Sequence, residues 1–217
     1  MRTLNKEAQS SLTPQKAYQI LVEGNQRFVN NLRYNRNLLQ QVNETSEGQY
    51  PFAIVLSCID SRTSAELIFD QGLGDIFSAR IAGNVLNEDI LGSMEFACKV
   101  AGSKLIVVLG HTKCGAIKGT CSHVQMGHLT GLLSKVSPAI HAVEKREGAS
   151  ATPENAVELV AIENVRCQLR SILDRSPILE HLYQEGSIGL VGAMYSVESG
   201  EVSFLEQHFK QAGKAAA

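Results

Sequence analysis

The sequence predicts an α/β protein: a three-layer fold around a mainly parallel β-sheet with an antiparallel edge hairpin, preceded by an N-terminal helical arm. Short apolar runs of strand length alternate with segments of helical periodicity, a pattern typical of parallel strands joined by right-handed crossovers. Two of these runs, residues 54–59 and 105–110, are almost continuously apolar, as in strands buried on both faces. A turn at residues 198–200 leads from the last run into a further strand, which would close the sheet antiparallel.

Composition limits the classes of protein that fit this chain. It has 217 residues, 44% hydrophobic and 19% charged, which suffices for one sizeable core but hardly for two domains. The net charge is −2 and no basic run stands out, so neither a nucleic-acid-binding surface nor a membrane-binding patch is predicted. No apolar stretch approaches the roughly 20 residues of a membrane span, and residues 1–13 are too polar for a secretory signal. We therefore expect a cytoplasmic protein.

The N-terminal region is predicted to be a helix followed by irregular chain. Thr13-Pro14 has the pattern of an N-cap followed by proline at the first helical position. The apolar residues that follow recur at helical spacing: Ala17, Ile20, Leu21 and Phe28. Residues 30–48 are polar and rich in Asn and Gln, which predicts extended or irregular chain. We expect residues 1–48 to form a dimerisation arm that lays this apolar face on a second subunit, with a solvated leader as the alternative.

Residues 49–211 are predicted to form one α/β domain, beginning with the strand at residues 54–59. Thr63 and Glu66 have capping-box spacing and predict a short helix through Phe69. A second strand is expected over residues 76–81. A helix with apolar residues from 90 to 98 should end at Gly102, and the third strand follows at residues 105–109.

The second half of the domain continues the alternation. A helix is expected from residue 115 to about residue 126, and an apolar stripe over residues 129–143 predicts further helix. A loop is predicted over residues 148–153. The pairs Thr152-Pro153 and Ser176-Pro177 repeat the cap-plus-proline pattern and predict two more helices. A strand over residues 187–196 and an edge strand over 201–205 should end the fold, and residues 212–217 are expected to be a disordered tail.

Cys58, His111 and Cys114 are candidate metal ligands because they follow the ends of two predicted strands. Carboxyl ends of parallel strands meet at one edge of a sheet, where ligands bind. Five cysteines in a chain of this size favour ligands, nucleophiles or buried thiols over disulfides in a reducing compartment. Zinc prefers Cys and His, and a catalytic zinc keeps three protein ligands and one open position. A closed structural site with Asp60 as the fourth ligand is the alternative. We expect Cys98 and Cys167 to pack in the core and Cys121 to be inert.

The polar segments that follow the strands carry three motifs: Cys58-x-Asp60-Ser61-Arg62, Arg80-x-Ala82-Gly83-Asn84 and Gly110-His111-x-x-Cys114-Gly115. Together they closely resemble the β-class carbonic anhydrases, over residues 49–119 and more weakly over 192–200. The resemblance implies reversible hydration of CO2 to bicarbonate and a proton by attack of zinc-bound hydroxide. It also implies one Zn²⁺ per chain, held by Cys58, His111 and Cys114, and a homodimer or larger homo-oligomer, with a tetramer favoured.

Asp60 and Arg62 are the candidate catalytic residues. Two thiolates neutralise the charge of zinc and weaken its effect on water, so a further group must compensate. A carboxylate held by the Arg62 guanidinium only accepts hydrogen bonds and would orient the nucleophile towards CO2. Asp60 would ligate zinc only in a closed form, which some members of this family stabilise with bicarbonate bound by a Trp, an Arg and a Tyr. Because Val55 stands at the Trp position, we expect an open site.

The resemblance further implies residues that line the substrate pocket. Gln49, Phe77 and Ala82 match lining positions, Phe96 also fits the lining, and the N–H of Gly115 matches a donor to bound anion. Gln49 would donate a hydrogen bond across a dimer interface. Arg80 and Tyr195 match two residues of a bicarbonate contact, although Arg80 could instead tie down the neighbouring loop.

Two other functions remain open at the level of sequence. The nearer is a hydrolase of carbonyl sulfide or carbon disulfide, because relatives of this family use the same ligands on those linear molecules. The more distant is a zinc or redox sensor without enzymatic activity, for which the Asp60 carboxylate would have no role.

Overall fold

The fold is built on one five-stranded sheet, in a computed structural model that describes residues 3–147 and 153–210. The strands are β1 (Ala53–Ser57), β2 (Ile76–Arg80), β3 (Leu105–His111), β4 (Gly189–Tyr195) and β5 (Val202–His208). Their order is β2-β1-β3-β4-β5. The first four strands pair in parallel, and β5 pairs antiparallel with β4. The mainly parallel sheet with an antiparallel edge hairpin is therefore confirmed, and β5 runs three residues further than the sequence predicted.

Helices connect and cover the strands. They are α1 (Lys6–Ser11), α2 (Pro14–Val29), α3 (Leu38–Glu44), α4 (Ala65–Ile68), α5 (Glu88–Glu95), α6 (Gly115–Cys121), α7 (Gly127–Leu133), α8 (Ser137–Glu147), α9 (Pro153–Arg175) and α10 (Pro177–Gln184). A 3-10 turn (Ala82–Asn84) follows β2, and a π-helical turn (Phe96–Val100) continues α5. A second 3-10 turn (Ser134–Val136) joins α7 to α8. In the described part of the chain, no helix is both long enough and apolar enough to cross a membrane.

The three layers follow from the burial of the central strands on both faces. Every residue of β1, β3 and β4 is buried. On one face, Ile54 and Leu56 pack with α5, α8, α9 and α10, and on the other, Ala53 and Val55 pack with α2 and α4. Cys58 belongs to the first face. The metal-ligand candidates therefore lie at the end of a rigid, fully packed sheet.

Helix α2, which was predicted from Thr13-Pro14, packs on the sheet of its own chain. Thr13 caps it as predicted, since its hydroxyl accepts from the N–H of Lys16 at 3.1 Å. Its apolar residues Ala17 and Leu21 are fully buried against the sheet face that carries Val55. The expectation that this face is free to cover a second subunit is therefore wrong, because the parallel sheet needs an apolar cover on that side.

The sequence predicted extended or irregular chain over residues 30–48. The structure instead contains a helix, α3, within this segment. The side chain of Asn37 caps this helix by accepting from the N–H of Gln40 at 3.1 Å. The buried Gln41 amide accepts from the N–H of Leu73 at 3.2 Å, which ties α3 to the turn before β2. The additional helix α1 likewise begins at an Asn cap, Asn5. Asn37, one of the Asn residues that suggested irregular chain, is thus a helix cap.

Two other boundaries differ from the prediction. Thr63 does not cap α4, whose N-cap is Ser64, because the Thr63 hydroxyl donates to carbonyl groups of the preceding loop. Helix α6 ends at Cys121 and not near residue 126, because His123 adopts a left-handed conformation with φ of 52°. Most of the loop predicted over residues 148–153 and the tail predicted over 212–217 lie outside the described residues.

Candidate metal centre

Cys58, His111 and Cys114 meet at the carboxyl edge of the sheet. Cys58 follows β1, His111 ends β3, and Cys114 precedes α6. Because β1 and β3 are parallel neighbours, with Ser57 beside Leu109, their ends deliver these side chains to one place. The potential ligand atoms lie within 4.8 Å of one another, the two Sγ atoms are 4.0 Å apart, and all three residues are buried. The predicted ligand set is therefore brought together as one compact group.

The His111 ring is oriented for metal binding. Its Nδ1 lies 2.9 Å from the carbonyl oxygen of Thr112, a contact that assigns the proton to Nδ1 and leaves Nε2 as the free acceptor. Nε2 is buried and has no hydrogen-bond partner. Because a buried nitrogen without a partner is costly, this atom needs a ligand. Two thiols and one imidazole nitrogen are the donors that zinc prefers, so the residues fit this metal.

Backbone N–H groups surround the two sulfur atoms. The N–H of Gly83 lies 3.4 Å from the Cys58 sulfur. A hydrogen bond from the Cys114 thiol lowers the pKa of Cys58, while that bond and burial together raise the pKa of Cys114. The first backbone amides of α6, at Ala116 and Ile117, act in the opposite sense on Cys114 by favouring its thiolate. The surrounding amides favour the negative charge on the sulfurs that a metal cation needs.

Asp60 and Arg62 form a bidentate ion pair beside the cluster. The Arg62 Nε and Nη2 atoms donate to the two Asp60 oxygens at 2.9 and 2.8 Å, and the Arg62 backbone N–H donates to Oδ1 at 3.0 Å. These bonds hold the pKa of Asp60 well below its usual range. Asp60 is therefore an oriented carboxylate at neutral pH. Ile59, between Cys58 and Asp60, is 61% exposed, in contrast to the buried ligand residues.

Arg80 and Thr63 fasten the loop that carries Cys58 and Asp60. Arg80 Nε donates to the carbonyl oxygen of Cys58 at 3.0 Å, and its Nη2 donates to that of Asp60 at 2.6 Å. The Thr63 hydroxyl lies 3.0 and 2.9 Å from the same two oxygens. Of the two roles left open for Arg80, the geometry supports tying down the loop. Sequence analysis missed Thr63, whose only local signal was its spacing from Glu66.

The predicted pocket residues divide into separate groups. Phe77 and Phe96 lie with ring centroids 6.3 Å apart and line a cavity of about 740 Å³ that also reaches Ile54. Neither the three ligand residues nor Gln49, Ala82 and Gly115 line that cavity. Gln49 and Gly115 are exposed, and Ala82 is half-buried in the turn before Gly83. Tyr195 is buried beside His111 in the β3–β4 ladder, on the sheet face that α2 covers.

The remaining cysteines lie apart from the cluster. Cys98 is buried in the core on the α9 side of the sheet, and burial raises its pKa to about 12, which confirms the prediction of a packing residue. Cys121 and Cys167 are half-buried, and burial raises the pKa of each. Neither belongs to the ligand group found among the described residues.

Comparison with known proteins gives a consistent result. The family model described as "Carbonic anhydrase" matches residues 53–202. A relative named carbonic anhydrase 2, from Mycobacterium tuberculosis, is 34% identical over 211 residues, covering 93% of this chain and 97% of its own. The carbonic anhydrase of Mycolicibacterium smegmatis is 36% identical, with the same shares covered. The crystal structure of the β-carbonic anhydrase CafA of Aspergillus fumigatus superposes with a TM-score of 0.70 at 27% identity, over 77% of this chain and 81% of its own.

Proposed function

Because the chain belongs to the β-class carbonic anhydrases, we propose that it hydrates CO2 reversibly to bicarbonate and a proton at the cluster of Cys58, His111 and Cys114. The protein is a carbonate dehydratase and its cofactor is zinc. The observation that carries the ligand assignment is the buried His111 Nε2, which has no hydrogen-bond partner and belongs to a group of three residues whose ligand atoms lie within 4.8 Å of one another. One zinc ion per chain satisfies it.

A catalytic site is favoured over a closed structural site. Among the residues that the structure describes, the ligand group contains Cys58, His111 and Cys114. Both carboxylate oxygens of Asp60, the candidate fourth ligand, already accept hydrogen bonds from Arg62. Three protein ligands leave one position for a reacting molecule. Zinc, when bound, activates a water molecule for attack on CO2 at neutral pH.

The Asp60–Arg62 pair orients that nucleophile. Asp60 remains ionised because of Arg62, so it can accept a hydrogen bond but not donate one. The loop from Cys58 to Arg62 places this acceptor two residues from a metal ligand. A fixed acceptor directs the nucleophile's lone pair towards the substrate. We therefore assign Asp60 as the catalytic residue and Arg62 as the group that holds it.

We further propose that the site stays open, with Asp60 on Arg62 and not on the metal. The bidentate geometry supports this arrangement, and Arg80 is already engaged with the loop carbonyls. Val55 lies on the α2 side of the sheet and offers no donor to a bound bicarbonate. Because a ligand shifts an equilibrium only by its differential affinity, bicarbonate has little leverage here.

CO2 is small and apolar, so a pocket with few polar groups suits it. Phe77 and Phe96 contribute apolar rings to a cavity that also reaches Ile54, on the sheet face that carries Cys58. We assign substrate lining to these residues together with Gln49, Ala82 and Gly115, and a bicarbonate contact to Tyr195.

We also propose a homo-oligomer, at least a dimer and in its larger form a tetramer, located in the cytoplasm. Residues 29–42 carry apolar side chains that are largely exposed: Val29, Leu32, Tyr34, Leu38, Leu39 and Val42. This set is called the arm patch below. Patches of this kind mark protein–protein contacts, so the segment 1–48 keeps its proposed role in dimerisation through residues other than those first expected.

The alternative functions lack support. The family model and the relatives name carbonic anhydrase activity and not hydrolysis of carbonyl sulfide or carbon disulfide. A sensor without enzymatic activity does not account for the bidentate fixation of Asp60 beside the cluster.

Metal analysis of ligand variants tests the assignment. Wild-type protein should carry about one zinc per chain, and Cys58→Ser, His111→Ala and Cys114→Ser should each lose most of it, since each removes one of three ligands. Cys121→Ser, a half-buried cysteine outside the cluster, is the control and should keep its zinc. Retention of full zinc by any ligand variant would refute the assignment. Rates of CO2 hydration and of hydrogen sulfide release from carbonyl sulfide, measured on the wild type, compare the two activities.

A further inference from the structure

Two buried side-chain amides on α9 contact the turn after β2. Asn164 is fully buried and Gln168 is 7% exposed. Asn164 Nδ2 donates to the carbonyl oxygen of Gly83 at 2.9 Å, and Gln168 Oε1 accepts from the N–H of Leu86 at 2.9 Å. Gln168 Nε2 donates to Asn164 Oδ1 at 3.0 Å, which joins the two amides. The pair therefore holds the middle of the turn, at Gly83, and the chain just after it, at Leu86.

Asn164 and Gln168 are the two buried residues of α9 with uncharged polar side chains among those the structure describes. The buried Glu163 pairs with Arg146 and Arg170, and the other buried residues of this helix are apolar: Val160, Ala161, Val165, Leu169 and Ile172. Burying an amide is costly unless it is hydrogen-bonded, and an apolar residue at either position would avoid that cost. Residues four apart on a helix lie on one face, so Asn164 and Gln168 contact the same turn. Their arrangement indicates that they stabilise the conformation of this turn.

The turn places an N–H on a metal ligand. Gly83 has φ of 72°, a left-handed conformation that favours glycine, and in it the Gly83 N–H lies 3.4 Å from the Cys58 sulfur. A Cβ at Gly83 would lie 3.4 Å from the Cβ of Ala116, in the first turn of α6 beside Cys114. The turn thus packs between the segments that carry the two thiolates.

We propose that Asn164 and Gln168 are positioning residues of the zinc site, which hold the Gly83 N–H on the Cys58 sulfur and thereby set how strongly that thiolate binds the metal. The proposal rests on the proposed function. An N–H bonded to a thiolate withdraws part of its charge, and the partners of metal ligands set both ligand orientation and metal affinity. Neither residue contacts a ligand directly, so their effect passes through the backbone of the turn.

The test measures the metal–sulfur bond and not turnover alone. Asn164→Leu and Gln168→Met remove the amides with little change in volume. In cobalt-substituted protein, we expect both variants to shift the sulfur-to-cobalt charge-transfer band. In zinc-loaded protein, we expect both variants to release zinc to a chelator about 10-fold faster than the wild type. This is the lower end of the effect that removing a hydrogen-bond partner of a metal ligand has on metal binding.

Asn25→Leu is the matched control. Asn25 is also a buried amide that bridges backbone groups, donating to the carbonyls of Ile68 and Gly200 and accepting from the N–H of Val202, but it lies on α2. Asn25→Leu should leave the cobalt spectrum and zinc release unchanged.

Equal spectra and release rates in wild type and Gln168→Met, or the same changes in Asn25→Leu, would overturn the inference. Gln168→Met decides the question even where Asn164→Leu fails to fold, because it leaves the Asn164 bond to Gly83 in place. A wild type without charge-transfer bands would overturn the proposed function itself, whereas bands that are present but insensitive to both variants would overturn only this inference.

Discussion

Asp60 reaches the metal centre through a loop whose position depends on a few named hydrogen bonds. Its carboxylate is held by Arg62, and the carbonyl groups of Cys58 and Asp60 are each held by Arg80 and Thr63. At the scale of single residues, the site therefore separates into ligands that bind zinc, a carboxylate that orients the nucleophile, and side chains that fix the loop. Each group predicts a different kinetic result.

Asp60→Asn should keep zinc and lose most CO2 hydration. The amide places an N–H group where the nucleophile needs a hydrogen-bond acceptor, and it carries no charge to pair with Arg62. We therefore expect kcat/KM to fall at least about 100-fold, which is the lower end of the effect of losing a positioned proton acceptor. Stopped-flow hydration assays with zinc analysis check this. Ile59→Val, at the exposed neighbouring position, is the control. Near wild-type turnover in Asp60→Asn would refute the assigned role.

Arg80→Lys should lower kcat about 10-fold, because lysine cannot donate to both loop carbonyls as the guanidinium does. The zinc content and the KM for bicarbonate should change little. Thr63→Val should act in the same direction. Ser134→Ala, which removes an exposed hydroxyl bonded to the Gly131 carbonyl of α7, a helix that carries none of the site residues, should have no such effect. A raised KM for bicarbonate with unchanged kcat in Arg80→Lys would instead identify Arg80 as a bicarbonate contact.

At the scale of elements, a buried ion-pair network joins the N-terminal segment to α4. Asp70, just after α4, has a side chain 2% exposed and pairs with Arg27 of α2 and with Arg36 before α3. Burial alone would raise the pKa of Asp70, but bonds from Arg27, Arg36 and the Tyr34 N–H outweigh it and lower this pKa. The network thus fixes the connection between α2 and α3 against the domain.

Asp70→Asn should lower the free energy of unfolding by about 3 kcal/mol, since it leaves two arginines without a buried counter-charge. For a chain of this length, that corresponds to a decrease in Tm of about 6–12 °C. Glu88→Gln is the control, because Glu88 pairs with Arg175 at an exposed position and should change stability by less than about 1 kcal/mol.

The pH dependence of this difference follows from the direction of the pKa shift. A lowered folded-state pKa stabilises the protein above the usual Asp value of about 3.9, and this stabilisation disappears as the pH falls through the folded-state pKa. The difference between wild type and Asp70→Asn should therefore be full at pH 7 and shrink below about pH 4. Urea unfolding at several pH values measures it, and a difference that grows on acidification would contradict the network.

At the scale of the whole molecule, the chain buries one face of its sheet under α2 and α4 and the other under α5, α8, α9 and α10. The arm patch remains outside both cores. Leu32 and Leu39 are 69% and 77% exposed, although the segment is tied down by Arg36 and Gln41. An ordered segment that presents large apolar side chains to solvent fits a surface that a second copy covers.

Leu32→Ser combined with Leu39→Ser should shift the protein towards smaller species in sedimentation velocity at micromolar concentration, because both side chains would leave an apolar contact between copies. Val124→Ser combined with Met126→Ser removes exposed apolar side chains elsewhere and should leave the sedimentation coefficient unchanged. A monomeric wild type would refute the oligomer, and an unchanged coefficient in the Leu32/Leu39 variant would refute this surface.

The sequence by itself determined the elements whose signals are local. Apolar runs at residues 54–59 and 105–110 marked the buried strands, and their polar ends marked the ligand candidates Cys58, His111 and Cys114. Burial on both faces produces a continuous apolar pattern, and parallel pairing brings the ends of such strands together. The fold class and the grouping of the three ligands could therefore be predicted without coordinates.

Only the tertiary structure decided which distant residues meet. It placed the apolar face of α2 on the chain's own sheet, made Thr63 and Arg80 hold the same two carbonyls, and brought Asn164 to Gly83, 81 positions away in sequence. An apolar stripe records that a face is buried but not what covers it, and a polar residue in a helix does not record its partner. Such contacts arise from packing between elements, for which the periodicity of one segment carries no information.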